Sequence, residues 1–410
     1  MPLPSYVTSV IQTLNQAGYE AYVVGGAVRS WLLGAEIHDY DVTTSADPEE
    51  VKQVFHGRKI ISTGIRHGTV IVLEQGVPVE ITTYRTETGY SDHRHPDEVR
   101  FTTDLEQDCA RRDFTINALC YHPEEGVRDF YGGVEDLQNK KIHAVGDPRV
   151  RFEEDALRIL RAVRFAAQLG FSIEENTKDA LLELQESLAY VSQERITAEL
   201  LKTLSAPNCG DVLCEYWSIL ELLIPELSEY SIEQRNRILF SIDRSPCETH
   251  VRMAILLSEL KDTRKADPIL RALKLSNADR TAVLNLLETS SLPLSTRCDL
   301  RKAVNRLRVP ASMYLDFRCA LDPGLSHEQL SDTLAAMERD HDCCSLKQLD
   351  ISGQDLKRFR LKGPEIAEAL NACLLAVMED RLPNERDDLL EYVRAWKRTQ
   401  NEDPLEKPER

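Results

Sequence analysis

The chain has 410 residues and a hydrophobic fraction of 42%, enough for a sizeable buried core and for two to four domains. Its formal net charge of −18 argues against non-specific nucleic-acid binding over the whole surface, though not against a local basic groove. No apolar run approaches the ~20 residues that span a bilayer, and the N-terminal "MPLPSYVTSVIQTLNQAGYEAY" lacks a basic segment followed by an apolar one. These features imply no membrane association and a cytoplasmic location.

In chain order, "AYVVGG" reads as a short apolar strand ending in the pair Gly25–Gly26, and "AVRSWLLG" as a helix that stops at Gly34. "IHDYDVTT" reads as the next strand, with Asp39 and Asp41 on one face and Tyr40 and Val42 on the other. "DPEEVKQVF" follows as a helix with Asp47 as N-cap and Pro48 at its first position. "KIISTGIRHGTVIVL" and "VPVEITTYR" are rich in Val, Ile and Thr with glycine turns, the pattern of an antiparallel hairpin or meander. From Asp147 onward the periodicity is helical, as in "DALRILRAVRFAAQLGF" with Gly170 as C-cap, and no further strand is expected. The terminal "NEDPLEKPER" reads as a frayed tail.

Ten cysteines are scattered through the chain without a CxxC pair. The one cluster, His341 with Cys343 and Cys344, reads as ordinary packing rather than a metal site, because adjacent cysteines rarely share one tetrahedral ion.

The chemistry concentrates near the N-terminus. Like charges on one strand face repel, so Asp39 and Asp41 either face solvent or share a divalent cation. Magnesium, a hard cation, prefers carboxylate and phosphate oxygens. Gly25 and Gly26, between a strand and a helix N-terminus, allow close approach of a phosphate. Glu80 lies on another strand, as a third acid or as a solvent-facing group. In "RRDFTINAL", Arg111 and Arg112 offer forked donors to phosphate and Asp113 can accept from a ribose hydroxyl. In "EEDALRILRAVRF", Asp155 and Arg158 stand at i and i+3, on one helical face. Such an acid–guanidinium pair complements cytosine and adenine, whose amino groups donate, and mismatches uracil and guanine, whose carbonyls do not. Arg161 and Arg164 continue the basic stripe, toward phosphates or as a balance to Glu153 and Glu154.

Taken together, "VVGGAVR", "HDYDVTT", "VEITTYRTE", "RRDFTINAL", "DFYGGVEDL" and "EEDALRILRAVRFA" resemble, in order and spacing, the class II tRNA nucleotidyltransferases (CCA-adding enzymes) and the related bacterial poly(A) polymerases. The resemblance covers roughly residues 20–200 and extends to "DISGQDL" and "LKGPEI" near the C-terminus. It implies an α+β fold: a head with a five-stranded mixed sheet (1–146), then an all-helical neck (147–205), body (206–315) and tail (316–410). It further implies template-independent addition of C, C and A to the tRNA 3′ end from CTP and ATP, with Mg2+ as cofactor and pyrophosphate released.

Residue by residue, Asp39 and Asp41 match the family's catalytic metal pair, with Glu80 as a candidate third ligand. Gly25, Gly26, Arg29, Arg111, Arg112, Asp113 and Asn117 match its nucleotide- and phosphate-binding positions. Glu154, Asp155 and Arg158 match its EDxxR motif, with Arg161 and Arg164 beyond. Residues 88–100, carrying His93, Arg94 and His95, correspond to the flexible loop that helps switch the pocket from CTP to ATP. Lys357, Arg358, Arg360 and Lys362, ahead of a helix opened by Gly363–Pro364, are the candidate tRNA contact. The oligomeric state implied is monomer or homodimer. One departure stands out, since Ser30 follows Arg29 where the family usually has Asp. Rival readings are a CC-adding, A-adding or poly(A)-adding enzyme, or an RNA-binding protein on a decayed scaffold. The retained Asp39 and Asp41 disfavour the last.

Overall fold

The structure is a computed structural model that describes residues 1–61, 64–65, 68–89 and 98–402, with side chains described to residue 399. The chain divides into two compact units, Met1–Glu229 and Tyr230–Arg410.

The first unit is organised around a sheet. Its strands are β1 (Ala21–Val24), β2 (Asp41–Thr44), β3 (Ile60–Ile61), β4 (Thr69–Glu74), β5 (Val77–Thr83), β8 (Cys120–His122) and β9 (Gly126–Arg128), while β6 (Arg85–Thr88) and β7 (Glu98–Phe101) form a separate hairpin. The spatial order is β3-β4-β5-β2-β1-β8-β9, with β2 parallel to β5 and the other pairings antiparallel. Seven strands stand where five were expected, because very short segments extend the edges: β3 has 2 residues and β9 has 3. Short edge strands leave little unpaired backbone open to another chain. His93, Arg94 and His95 lie outside the described residues.

Period-2 alternation sorts the strand side chains into two cores. Val23 and Val42, register partners with 0% exposure, join the main core with Val70, Val72 and Ile81. Tyr22, Val24 and Cys120 face the other side and pack with Tyr84, Leu105 and Cys109. Asp41 and Thr43 sit opposite Val24 and Tyr22, so they belong to this second face.

The helices follow their local signals. After α1 (Ser5–Gln16) and α2 (Gly26–Leu32), α3 (Pro48–Val54) begins at Asp47, whose carboxylate accepts the Glu49 and Glu50 amides at 2.9 and 2.8 Å. Next come α4 (Leu105–Ala110), α5 (Gly133–Gln138), α6 (Pro148–Glu154), α7 (Leu157–Leu169), α8 (Glu175–Leu184) and α9 (Gln193–Leu204). Gly170 closes α7 with φ of 67°, as its position predicts. The segment from Asp147 onward is not purely helical, however. Ser172–Ile173 pairs in parallel with Lys141–Ile142, because burial of Phe171 and Ile173 draws the chain back against the head.

The second unit, as described, is helical from Ile232–Arg244 to Arg386–Glu402. That last helix runs into the predicted frayed tail, and residues 403–410 lie outside the described residues. The ten cysteines are free thiols, with Cys343 and Cys344 buried. No described helix is long and apolar enough to cross a membrane.

Candidate active site

Of the described head and neck residues singled out above, Gly25, Gly26, Arg29, Asp39, Asp41, Arg111, Arg112, Asp113, Asn117, Asp155, Arg158, Arg161 and Arg164 line one cleft of about 810 Å³ in the first unit, whereas Glu80 and Glu154 do not. Its floor is the end of β1 and the start of β2. Gly25, which follows β1, holds φ 67° and ψ −125°, a conformation open to glycine. A Cβ there would stand 3.4 Å from Nη1 of Arg112, an ordinary contact distance, so it is the backbone conformation rather than crowding that calls for glycine.

Asp39 and Asp41 both line the cleft, but not as a two-residue strand face. The strand begins at Asp41, and Asp39 belongs to the irregular approach to it. The reason is local. Asp is a poor strand former, and the stretch between α2 and Asp39 has no sheet neighbour to pair with. Asp41 lines the cleft and is exposed to it. Partial burial raises its carboxyl, Arg112 opposes this, and Asp39 raises it further.

Glu80 is the register partner of Asp41 across the parallel pair, with its carboxyl raised by burial and then by Asp41. It is exposed and does not line the cleft. Among the described residues no three His, Cys, Asp or Glu side chains converge as a ready-made metal cage.

The arginines are held by protein carboxylates. Asp108, with 0% exposure, is held below the usual carboxylate range by Arg111 and Arg112 although burial opposes its charge. It accepts from Nη2 of Arg111 at 2.7 Å and from Nη2 of Arg112 at 3.2 Å. Arg111 also reaches Glu87 on β6 at 3.4 Å.

Asp113 does not stand free for a ribose. Its Oδ1 accepts from the Phe114 amide at 2.8 Å and from Nδ2 of Asn117 at 3.0 Å. Its Oδ2 accepts two donors of Arg161, at 2.8 and 2.6 Å. Burial would raise this carboxyl, but Arg161, Asn117 and Arg158 hold it down at about 2. Asn117 in turn accepts from Nη1 of Arg29. Burial lowers Arg29 to about 10, with Asp113 opposing and Arg164 and Arg161 reinforcing the shift, so it remains a cation at neutral pH.

The expected single helix over "EEDALRILRAVRF" is two helices. Asp155 adopts an extended φ of −142° between α6 and α7, and its carboxylate caps α7 by accepting the Leu157 amide at 3.1 Å. Aspartate is among the best N-caps, which is why the helix breaks there. Asp155 and Arg158 therefore do not share a helical face, yet both open onto the cleft. Arg158 is anchored from behind, donating to Glu154 at 2.6 Å and to the backbone oxygens of Arg151 and Arg111 at 3.1 and 2.9 Å.

Arg161 and Arg164 neither balance Glu153 and Glu154 nor stand free. Arg161 pairs with Asp113 and Arg164 with Glu199. With Arg29 they surround the Phe165 ring, their guanidinium carbons 5.4, 4.0 and 4.9 Å from its centroid. Ser30 lines the cleft beside Arg29.

Residues 21–143 match the family "Poly A polymerase head domain", 170–231 "Probable RNA and SrmB-binding site of polymerase A", and 248–393 "tRNA nucleotidyltransferase domain 2". A CCA-adding enzyme of Pediococcus pentosaceus is 36% identical over 404 residues, 94% of this chain and 96% of that protein. The chain belongs to the CCA-adding enzymes.

Another member, from Lactobacillus helveticus, is 55% identical over 199 residues, 48% of this chain and 49% of that protein. The Bacillus stearothermophilus CCA-adding enzyme in complex with CTP superposes with a TM-score of 0.79 at 31% identity, covering 98% of this chain and 100% of that one. The chain is thus a nucleotidyltransferase with the mixed α+β architecture of the CCA-adding enzymes, a family that works with divalent metal ions.

Four residues of this CCA-adding enzyme's cleft network escaped the sequence reading: Glu87, Asp108, Arg195 and Glu199. Asp108 had a legible signal, standing i−3 and i−4 from Arg111 and Arg112. Arg195 and Glu199 had none, because their partners Asp155 and Arg164 lie 40 and 35 residues away.

In the second unit, Lys357, Arg358, Arg360 and Lys362 are all exposed, in and after a short 3-10 turn that ends with Arg360 at φ 56°. Arg358 and Arg394 flank the Phe359 ring at 5.3 and 5.8 Å. The helix Gly363–Met378 does not open onto free amides alone, because Glu365 accepts the Lys362 amide at 2.5 Å.

Proposed function

We propose that this chain adds C, C and A to the 3′ end of tRNA, taking CTP and ATP and releasing pyrophosphate. The observation that carries the reading is that an acid pair and a base-reading acid–guanidinium pair, Asp39/Asp41 and Asp155/Arg158, open onto one cleft.

The donor chemistry fits Mg2+. Among the described residues, neither Asp39 nor Asp41 has an ion-pair partner, and Asp39 pushes the Asp41 carboxyl up. Two carboxylates that repel each other, with only Arg112 acting against the upward shift of Asp41, suit a hard divalent cation that keeps some of its waters. Asp39 and Asp41 would hold it, and when bound it would lower the pKa of the tRNA 3′-hydroxyl and neutralise charge on the phosphates. The protein's part is positioning. The Gly25–Gly26 turn admits the phosphates, and Arg111 and Arg112, fixed by Asp108, present their remaining donors to the triphosphate.

Base selection follows from counting what is left unpaired. A carboxylate has about four lone-pair sites and a guanidinium five N–H donors. Asp155 uses three sites: Oδ1 takes the Leu157 amide and Nη1 of Arg195, and Oδ2 takes Nη2 of Arg195. Arg158 uses three donors on Glu154, Arg151 and Arg111. That leaves about one acceptor and two donors. Cytosine offers an amino donor with N3 and O2 acceptors, and adenine an amino donor with N1. Uracil and guanine would set a carbonyl against Asp155, at a cost of roughly 1–3 kcal/mol.

The test is extension of tRNAs that end before the first C, after it and after the second, each with CTP, ATP, UTP and GTP separately. C, C and A in that order, then arrest, is the expected product. Long A tails, or extension that stops at CC, would overturn the assignment. Lys357, Arg358, Arg360 and Lys362 are proposed as contacts to the tRNA backbone, recognised by shape and charge.

A further inference from the structure

One helix braces the base-reading residues from behind. On α9, Arg195 and Glu199 stand one turn apart. Arg195 reaches Asp155 with both terminal nitrogens, at 3.2 Å to Oδ1 and 2.8 Å to Oδ2. Glu199, with 5% exposure, grips Arg164, the arginine nearest the Phe165 ring. Arg195 itself lines the cleft.

Asp155 needs this brace because of where it sits. It is in an extended residue between two helices, so no continuous helical backbone holds it. Its own cap bond to Leu157 fixes one oxygen only. A carboxylate held at one oxygen can swing and turn its free lone pairs in several directions. The forked donors of Arg195 remove that freedom, leaving a single acceptor site on Oδ2.

We propose that Arg195 is a positioning residue for nucleotide selection, acting through Asp155 by fixing the direction of its one open acceptor site. The inference rests on the reading of Asp155 as a base reader. Without Arg195, the freed carboxylate could turn away from a uracil carbonyl and escape the mismatch that normally excludes it. Selectivity would fall more than catalysis.

The experiment uses the intact protein and a tRNA lacking CCA, and compares kcat/KM for CTP and for UTP in wild type, Arg195→Ala, Arg195→Lys and Asp155→Ala. Arg195→Ala is expected to lower the CTP-over-UTP preference on the order of tenfold. Arg195→Lys should recover part of it, since an ammonium lacks the planar fork that spans both oxygens. Where turnover is lost, equilibrium binding of CTP and UTP supplies the same ratio, and Arg195→Lys serves if the alanine variant does not fold.

A purely structural Arg195 would lower both nucleotides equally, and an unchanged preference in Arg195→Ala overturns the proposal. Should Asp155→Ala lose the preference while Arg195→Ala keeps it, only the role of Arg195 falls. Should Asp155→Ala keep it, the base-reading role of Asp155 falls and the proposal with it.

Discussion

Asp113→Asn tests the electrostatic logic of the cleft most directly. The carboxylate is 9% exposed and joins the loop after α4 to α7 through its two-pronged bond with Arg161. Asparagine would keep the bonds from the Phe114 amide and Asn117, because its carboxamide oxygen can replace Oδ1. It would then turn an NH2 group toward Arg161, donor against donor, and strand that cation near Arg29 and Arg164. A carboxyl lowered from 3.8 to about 2 prefers its ionised form in the folded state by roughly 2.5 kcal/mol. Breaking one side of a buried pair costs about 3–5 kcal/mol, so a loss near 3 kcal/mol at pH 7 is expected.

The assay is urea unfolding followed by tryptophan fluorescence, in which Trp31 and Trp217 report on the first unit and Trp396 on the second. The sign is fixed by the depressed pKa. The carboxylate's contribution is complete well above 3.8 and is lost as pH falls through about 2. The gap between wild type and variant should therefore shrink to about half by pH 3. A loss under ~1 kcal/mol at pH 7, or a gap unchanged between pH 7 and pH 3, would refute the reasoning.

Asp41→Asn removes a charge that burial and Asp39 both disfavour. Arg112 opposes that shift only in part, so without divalent ions the variant should be at least as stable as wild type, while nucleotide transfer is lost and Mn2+ binding weakens; a clear loss of stability would sink the repulsion argument. In the second unit, His250 bridges Glu248 at 2.7 Å and Asp279 at 2.9 Å, and those partners raise its pKa to about 9. Its contribution is complete below about 6.5 and is lost as pH rises through about 9, so Trp396-monitored stability should fall over that window by roughly 2 kcal/mol after allowance for solvent screening. His250→Gln should flatten this dependence, and an equal slope in both proteins would exclude the bridge as its source.

Short-range features were legible from the residues because their causes are short-range. Asp47 before Pro48 capped a helix, Gly170 closed one, and "AYVVGG" formed its short apolar strand. The motif order pointed to the family for the same reason, since each motif is a contiguous run whose residues meet one part of the cleft. Even the break at Asp155 was written locally, in an acid ahead of an apolar helical run, but the strong helical periodicity around it masked the cap. The edge strands β3 and β9 were too short to carry a period.

Which carboxylate holds which guanidinium was decided only by the tertiary structure. The chain offers 50 basic and 68 acidic residues, and no local rule selects among them. Arg161 looked as able to face phosphate as to balance Glu153, yet it closes on Asp113, 48 residues away. Asp113 looked free for a ribose and is instead saturated. A buried ion pair requires two groups to lose water together at hydrogen-bonding distance, and only the packing of α7 and α9 against the head sets that distance. The sequence by itself determined which chemistry the cleft holds, and the fold decided which of its charges remain free to perform it.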